Sequence, residues 1–265
     1  MLLQNRTAIV YGAAGSVGAA VSRAFAREGA VVFLTGRRSD GLAELADEIV
    51  TNGGRAEVAV VDALSLDEVE RHAAKVVTAT GGVDVSFNAV SIRGDLQGKK
   101  LVDMSVEDFT TPIHTAATAN FLTATVAARH MVQKGSGVIL TMSTSGSRLS
   151  GRDQSFHATG GFGVACGAVE TLTRNLAGEL GPAGVRVVCL RPDALPETWP
   201  IEEFAASGGD TAEINKIKSY MESGTSLRRL PRLAEVAETA AFMASDRASA
   251  TTGTVVNLTC GSVLD

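Results

Sequence analysis

The run Tyr11-Gly12-Ala13-Ala14-Gly15-Ser16-Val17-Gly18 separates two segments of different periodicity. Before it, Thr7–Tyr11 is short and almost continuously apolar, the pattern of a strand covered on both faces. After it, Val17, Val21 and Phe25, with Ala20 and Ala24, form one stripe at helical spacing. A glycine-rich turn from strand to helix lets the backbone bend sharply and approach a pyrophosphate, which the first N–H groups of the helix then bind. Gly12, Gly15, Ser16, Val17 and Gly18 are therefore candidate cofactor-binding residues. A plain βα turn is the alternative.

The same alternation continues outward. Val31–Thr35, Ala56–Val61, Val83–Asn88, Val138–Met142, Val185–Leu190 and Thr254–Leu258 read as further strands. Leu42, Leu45 and Ile49 make a second helical stripe, and Gly29 and Gly53-Gly54 stop the first two helices. Strands alternating with helices predict right-handed βαβ units and an α/β, doubly wound parallel sheet of Rossmann type, with about seven strands. Residues 1–265 read as one dinucleotide-binding domain without a linker, short repeat or low-complexity tract. Pro196–Gly224, with Trp199, Pro200 and Gly208-Gly209, has no clear place in this scheme and is a candidate lid.

Composition excludes several other classes. The net charge of −5 is spread along the chain, so no basic stripe points to nucleic acid. No apolar run approaches the roughly 18 residues of a membrane helix. Met1–Arg6 leads straight into the first strand with no signal-peptide pattern. Cys166, Cys189 and Cys260 are widely spaced and odd in number, which suits reduced thiols in the cytoplasm and indicates neither a disulfide framework nor a metal site.

The end of the second strand bears on the choice of cofactor. An acidic residue there normally takes the ribose 2′-hydroxyl of NAD. Here the residues are Gly36-Arg37-Arg38. A guanidinium pairs bidentately with a 2′-phosphate, so NADP(H) is expected over NAD(H), with Arg37 and Arg38 as candidates. In Val61-Asp62-Ala63, Asp62 is placed to accept from the adenine amino group, or alternatively to cap the helix starting near Ser65.

These residues resemble the short-chain dehydrogenase/reductase family over nearly the whole chain. Gly12–Gly18 is similar to its glycine motif and Asp62 to its adenine-contacting aspartate. Asn88-Ala89-Val90-Ser91 is similar to the segment ending Asn-Asn-Ala-Gly, and Arg186–Pro192 to the strand ending Pro-Gly. Ala168–Ala177 resembles the long central helix, and Pro231–Ala237, Phe242–Asp246 and Thr252-Gly253 resemble the C-terminal pattern. The resemblance implies cofactor contacts at Ala63, Asn88 and Pro192. It also implies a homo-oligomer, expected to be a tetramer, paired through helices over Val102–Gln133 and Gly160–Leu180.

The departures are concentrated where the family does its chemistry. The middle glycine of the turn falls on Ser16, and Pro-Gly becomes Pro192-Asp193. The catalytic Tyr-x-x-x-Lys falls on Phe162 and Cys166, and the asparagine of the family's tetrad on Ala116. No tyrosine lies between Tyr11 and Tyr220, and no lysine between Lys134 and Lys216. The catalytic serine falls among Ser143, Thr144 and Ser145, with Thr144 favoured. His157, just before the central helix, is a second candidate because imidazole titrates near neutral pH; a surface-loop histidine is its alternative. His114, two residues from Ala116 on a helix, points to the other side, and Lys216 with Tyr220 reads as a polar helix face.

Without a phenol and an ammonium, general acid–base assistance on the order of 10²–10⁴ in rate is missing. Two functions follow as expectations. One is an oxidoreductase acting on a small, mostly apolar carbonyl or alcohol compound with a non-standard proton donor. The other is a pseudoenzyme that senses NADP(H) or partners an active relative. Gly160, Gly161, Gly163 and Gly167 crowd the start of the central helix, each at a cost of roughly 1 kcal/mol. A close backbone or ligand, or a frayed first turn, would account for them.

Overall fold

Along each central strand, side chains alternate between two apolar layers. Ala8 and Val10, Val32 and Leu34, Val85 and Phe87, and Leu140, Val188 and Leu190 are buried in one layer. Ile9 and Tyr11, Phe33, Ile139 and Val187 are buried in the other. Buried apolar groups on both faces need helices on both faces, and the computed structural model, which describes residues 1–152, 157–199, 201 and 211–265, has that arrangement.

The strands are β1 (Thr7–Tyr11), β2 (Val31–Gly36), β3 (Arg55–Val60), β4 (Val85–Asn88), β5 (Gly137–Met142), β6 (Val185–Pro192) and β7 (Val255–Leu258). They form one seven-stranded sheet in the order β3-β2-β1-β4-β5-β6-β7, and every neighbouring pair is parallel. The doubly wound Rossmann-type sheet expected from the alternation is therefore present, with strand limits shifted by one or two residues. Helices α1 (Ser16–Arg27) and α2 (Asp40–Thr51) follow the first two strands and cover the first layer with Val21, Phe25, Leu42, Leu45 and Ile49. The other layer is covered by α3 (Leu66–Thr80), α4 (Val106–Lys134) and α6 (Gly160–Leu180). After the four-residue α5 (Gly146–Leu149) and this long α6 come α7 (Thr211–Ser223) and α8 (Leu233–Ala244), the latter packing Val236, Ala237 and Ala240 into the first layer.

Strand order reverses between β1 and β4. Register places Tyr11 opposite both Thr35 and Asn88. The carboxyl ends of β2, β1 and β4 thus open side by side at the switch point where ligands of such sheets bind.

Three expectations are corrected or resolved here. The first long helix starts at Val106, not Val102, because Leu101–Asp103 is a separate 3₁₀ turn and the Ser105 hydroxyl caps the helix by accepting from the Asp108 amide. Close packing accounts for Gly160, Gly161 and Gly163 of α6, whereas a Cβ on Gly167 would meet nothing within 4 Å and that glycine has no packing reason. A Cβ on Gly161 would overlap the Phe109 carbonyl oxygen, and one on Gly163 would overlap Ser150 Oγ. Of the candidate lid, Pro196–Thr198 is a 3₁₀ turn and 211–223 is helical, while 200 and 202–210 lie outside the described residues. Among the described residues no helix is long and apolar enough to cross a membrane.

Candidate active site

The turn after β1 is shaped by what its glycines exclude. Gly12 has φ +74°, and a Cβ there would lie 2.8 Å from the Ala89 carbonyl oxygen. A Cβ on Gly18 would overlap the Gly12 carbonyl oxygen. The loops after β1 and β4 therefore touch through backbone alone. Gly15 caps α1 with no side-chain hydrogen bond and no acidic residue in the first turn. This leaves the helix start, at exposed Ser16 and half-buried Val17, able to receive an anion. Arg37 and Arg38 are exposed immediately after β2. Asp62 follows β3, where its Oδ1 accepts from the Leu64 amide at 3.0 Å, with buried Ala63 between them. This is a local turn ahead of the helix: α3 begins at Leu66 with Ser65 as its N-cap and no side-chain cap, so Asp62 does not cap it. These elements fit the adenosine diphosphate half of a dinucleotide: a backbone cradle, an uncapped helix start and nearby guanidinium groups.

Asn88 is buried, and its side chain is committed to the scaffold. Its Nδ2 donates to Thr123 Oγ1 at 2.9 Å and its Oδ1 accepts from the Val90 amide at 3.0 Å. It holds the β4 turn against Gly12. Pro192 is likewise buried, and its carbonyl accepts from the Ser145 amide at 2.8 Å.

The other half of the site is apolar. Ala116 and Cys166 are buried in one cluster with Ile92, Ala165, Val169 and Cys189, and half-buried Phe162 packs on it. The Phe162 ring faces Gly146; a Cβ on that glycine would stand 3.2 Å from it. Thr144 Oγ1 lies 3.4 Å from Cys166 Sγ and accepts from the Gly146 amide at 3.1 Å. Burial pushes the Cys166 thiol up to about 11, with Thr144 opposing, so it stays protonated near neutral pH. It is no nucleophile, and it carries no positive charge.

The structure separates the hydroxyls that the sequence lists together. Ser143 is fully buried and donates to Glu170 Oε1 at 2.9 Å. Its proton is therefore directed to a buried carboxyl. Ser145 donates to Asp193 Oδ1 at 2.7 Å, and Ser147 to Glu170 Oε1 at 2.5 Å. Thr144 is the hydroxyl of this loop that meets Cys166. His157 is buried, with its carbonyl accepting from the Thr159 amide at 2.9 Å, so it is not a surface-loop histidine; residues 153–156 lie outside the described residues. His114 and Lys216 are exposed.

Comparison with known proteins places this geometry. A family profile described as Enoyl-(Acyl carrier protein) reductase matches residues 12–262. The chain belongs to the short-chain dehydrogenase/reductase family. Among its relatives, an uncharacterized oxidoreductase of Bacillus subtilis, YxbG, is 32% identical over 95% of this chain and 88% of its own. An L-rhamnose 1-dehydrogenase (NAD(P)(+)) of Azotobacter vinelandii is 31% identical over 96% of this chain and 94% of its own. A short-chain type dehydrogenase/reductase from Mycobacterium marinum superimposes with a TM-score of 0.83 at 27% identity, covering 99% and 97% of the two chains. An oxidoreductase fold with nicotinamide-dependent relatives is thereby established for this member of the family.

Sequence reasoning missed Glu170 and Asp193 as parts of the site. Glu170 had a visible signal, a carboxyl within the apolar stripe Cys166, Val169, Thr173 of α6. Asp193 was noted only as a departure from glycine.

Proposed function

We propose that this protein is an NADP(H)-dependent oxidoreductase acting on a small, mostly apolar carbonyl or alcohol compound without the family's tyrosine–lysine pair. The observation that carries the reading is the apolar cluster at the expected catalytic positions. Ala116, Phe162 and Cys166 pack together, and Thr144 supplies the hydroxyl at its edge. The cofactor, when bound, supplies the hydride. The Gly12–Gly18 turn and the start of α1 hold its pyrophosphate, Arg37 pairs with the 2′-phosphate, and Asp62 accepts from the adenine. Thr144 Oγ1 accepts from Gly146, and its own proton is then directed to the substrate oxygen, whose growing negative charge it stabilises. A hydroxyl of this kind donates a hydrogen bond but is a poor acid, so reduction of ordinary ketones is slow. His157 is the other candidate donor.

The second reading, a cofactor-binding pseudoenzyme, is favoured by the fully buried Cys166, which has no charge to offer the nicotinamide ribose. Titration with NADPH and NADH, followed by a screen of carbonyl compounds for turnover, separates the readings. Tighter NADPH binding with slow turnover supports the enzyme. Binding with no turnover of any compound supports the pseudoenzyme, and equal affinity for both cofactors contradicts the NADP(H) assignment.

The expected homotetramer belongs to the same proposal. Phe121 and Val132 on α4 and Val164 on α6 are exposed apolar side chains on the two helices through which a partner is expected to pack. A monomer in light scattering at all concentrations contradicts it. A cytoplasmic location remains the expectation.

A further inference from the structure

We propose that Glu170 and Asp193 are positioning residues that register the loop after β5 so that Thr144 alone, of its hydroxyls, is presented beside Cys166. The inference rests on the proposed cofactor site and deepens it.

The loop Ser143-Thr144-Ser145-Gly146-Ser147 offers four hydroxyls in five residues. A flexible loop of this composition would not present one of them consistently. In this structure each serine hydroxyl is bound to a buried carboxyl: Ser143 and Ser147 to the same oxygen of Glu170, and Ser145 to Asp193. The backbone is pinned as well, since the Ser143 and Ser145 amides donate to the Leu190 and Pro192 carbonyls at 2.9 and 2.8 Å. Both carboxyl-bearing residues are about 4% exposed, a setting in which such a group must be paired. Arg191, itself 1% exposed, lies 3.6 Å from the second Glu170 oxygen and pairs with Asp265. The second Asp193 oxygen accepts from Ser262. The segment Ser262–Asp265 is therefore tied to the same lattice, and Arg152 adds a bond to the Ser262 carbonyl at 3.3 Å. Each serine has a partner that a rotated loop would leave buried and unpaired, so the loop holds one register and Thr144 is left to face the site. Asp193 stands where the family resemblance places glycine, which would offer no acceptor to either Ser145 or Ser262.

The test uses Glu170→Gln and Asp193→Asn in the full chain with Cys260→Ser. These changes keep size but alter the acceptor oxygens. Bound NADPH is followed by its nicotinamide fluorescence, and Cys166 by its rate of alkylation with iodoacetamide. The account expects NADPH dissociation constants within about threefold of the parent, because the adenosine-holding turn is remote. It also expects altered nicotinamide emission, Cys166 alkylation faster by about tenfold or more, and any measurable kcat lowered more than KM. Ser145→Thr, which keeps the hydroxyl, should behave as the parent and Ser145→Ala as Asp193→Asn. Parent-like emission and alkylation in both carboxyl variants overturn the proposal. If the parent does not bind NADPH, the cofactor reading fails and alkylation alone decides this one. If the carboxyl variants do not fold, Ser143→Ala and Ser145→Ala carry the same comparison.

Discussion

Thr144 Oγ1 lies 3.4 Å from Cys166 Sγ, and both groups are uncharged near neutral pH because burial holds the thiol at about 11. A site built on them has no group that titrates between about pH 6 and 9. Whatever carbonyl turnover the protein shows should be flat across that range. Thr144→Val should lower it on the order of 10²-fold, as loss of a preorganised donor does, and Thr144→Ser should retain most of it. A rate that instead follows a group near pH 6.5 and disappears in His157→Ala with NADPH binding intact would move the role to His157.

Arg37 is exposed directly after β2, where no carboxylate occupies the last strand position. Arg37→Ala should weaken NADPH by about tenfold while leaving NADH unchanged, since only the former presents a phosphate to pair with the guanidinium. Calorimetric titration of both cofactors reads the difference directly. Equal losses for the two would place Arg37 outside the 2′-phosphate site.

The glycine turn gives a graded series. Gly18→Ala forces a Cβ into the Gly12 carbonyl, and Gly12→Ala combines φ +74° with a 2.8 Å approach to Ala89. Each should weaken NADPH binding strongly and cost about 1–3 kcal/mol of stability. Gly15→Ala meets its nearest neighbour at 3.4 Å, an ordinary contact, and should bind nearly as the parent does. Comparable damage from all three would argue that the turn's shape is not what matters.

His72 on α3 is buried, and its Nδ1 has no hydrogen-bond partner among the described residues. Burial, with Lys75 adding to it, holds its pKa down at about 4, against about 6.5 for a free imidazole. The unfolded chain therefore binds the extra proton between those values. Stability rises with pH across that window and is complete above about pH 6.5. The His72→Phe variant, which keeps an aromatic ring beside Phe33, should flatten this slope in urea unfolding between about pH 4.5 and 7. An unchanged slope would show that other groups set it.

The fold was legible because it depends on local signals. The apolar run Thr7–Tyr11, the turn to Gly18 and the stripe Val17-Val21-Phe25 each specify one element, and their repetition specifies the sheet. The placement of Gly12, Gly18 and Arg37 was legible for the same reason, since they follow strands that the topology brings side by side. The catalytic side was legible only as a set of absences. Nothing local in Ser143-Thr144-Ser145 tells which hydroxyl meets Cys166, because the acceptors of the two serines lie 27 and 48 residues away at Glu170 and Asp193. The α6 glycines were ambiguous in sequence because a carbonyl from Phe109 fills the space over Gly161, a contact set by how two helices pack. The α4 start was misplaced even though Ser105-Val106-Glu107-Asp108 carries a capping signal.

The most direct test of the account is the initial rate of NADPH oxidation by the wild-type chain with a panel of simple ketones, at saturating cofactor. The positions onto which the family resemblance places the tyrosine and lysine are Phe162 and Cys166, packed in an apolar cluster with Ala116. The account predicts rates lower than those of a tyrosine–lysine relative by a factor on the order of 10²–10⁴, alongside tight NADPH binding. Robust reduction of common ketones by the wild type, undiminished in both Thr144→Val and His157→Ala, would contradict it.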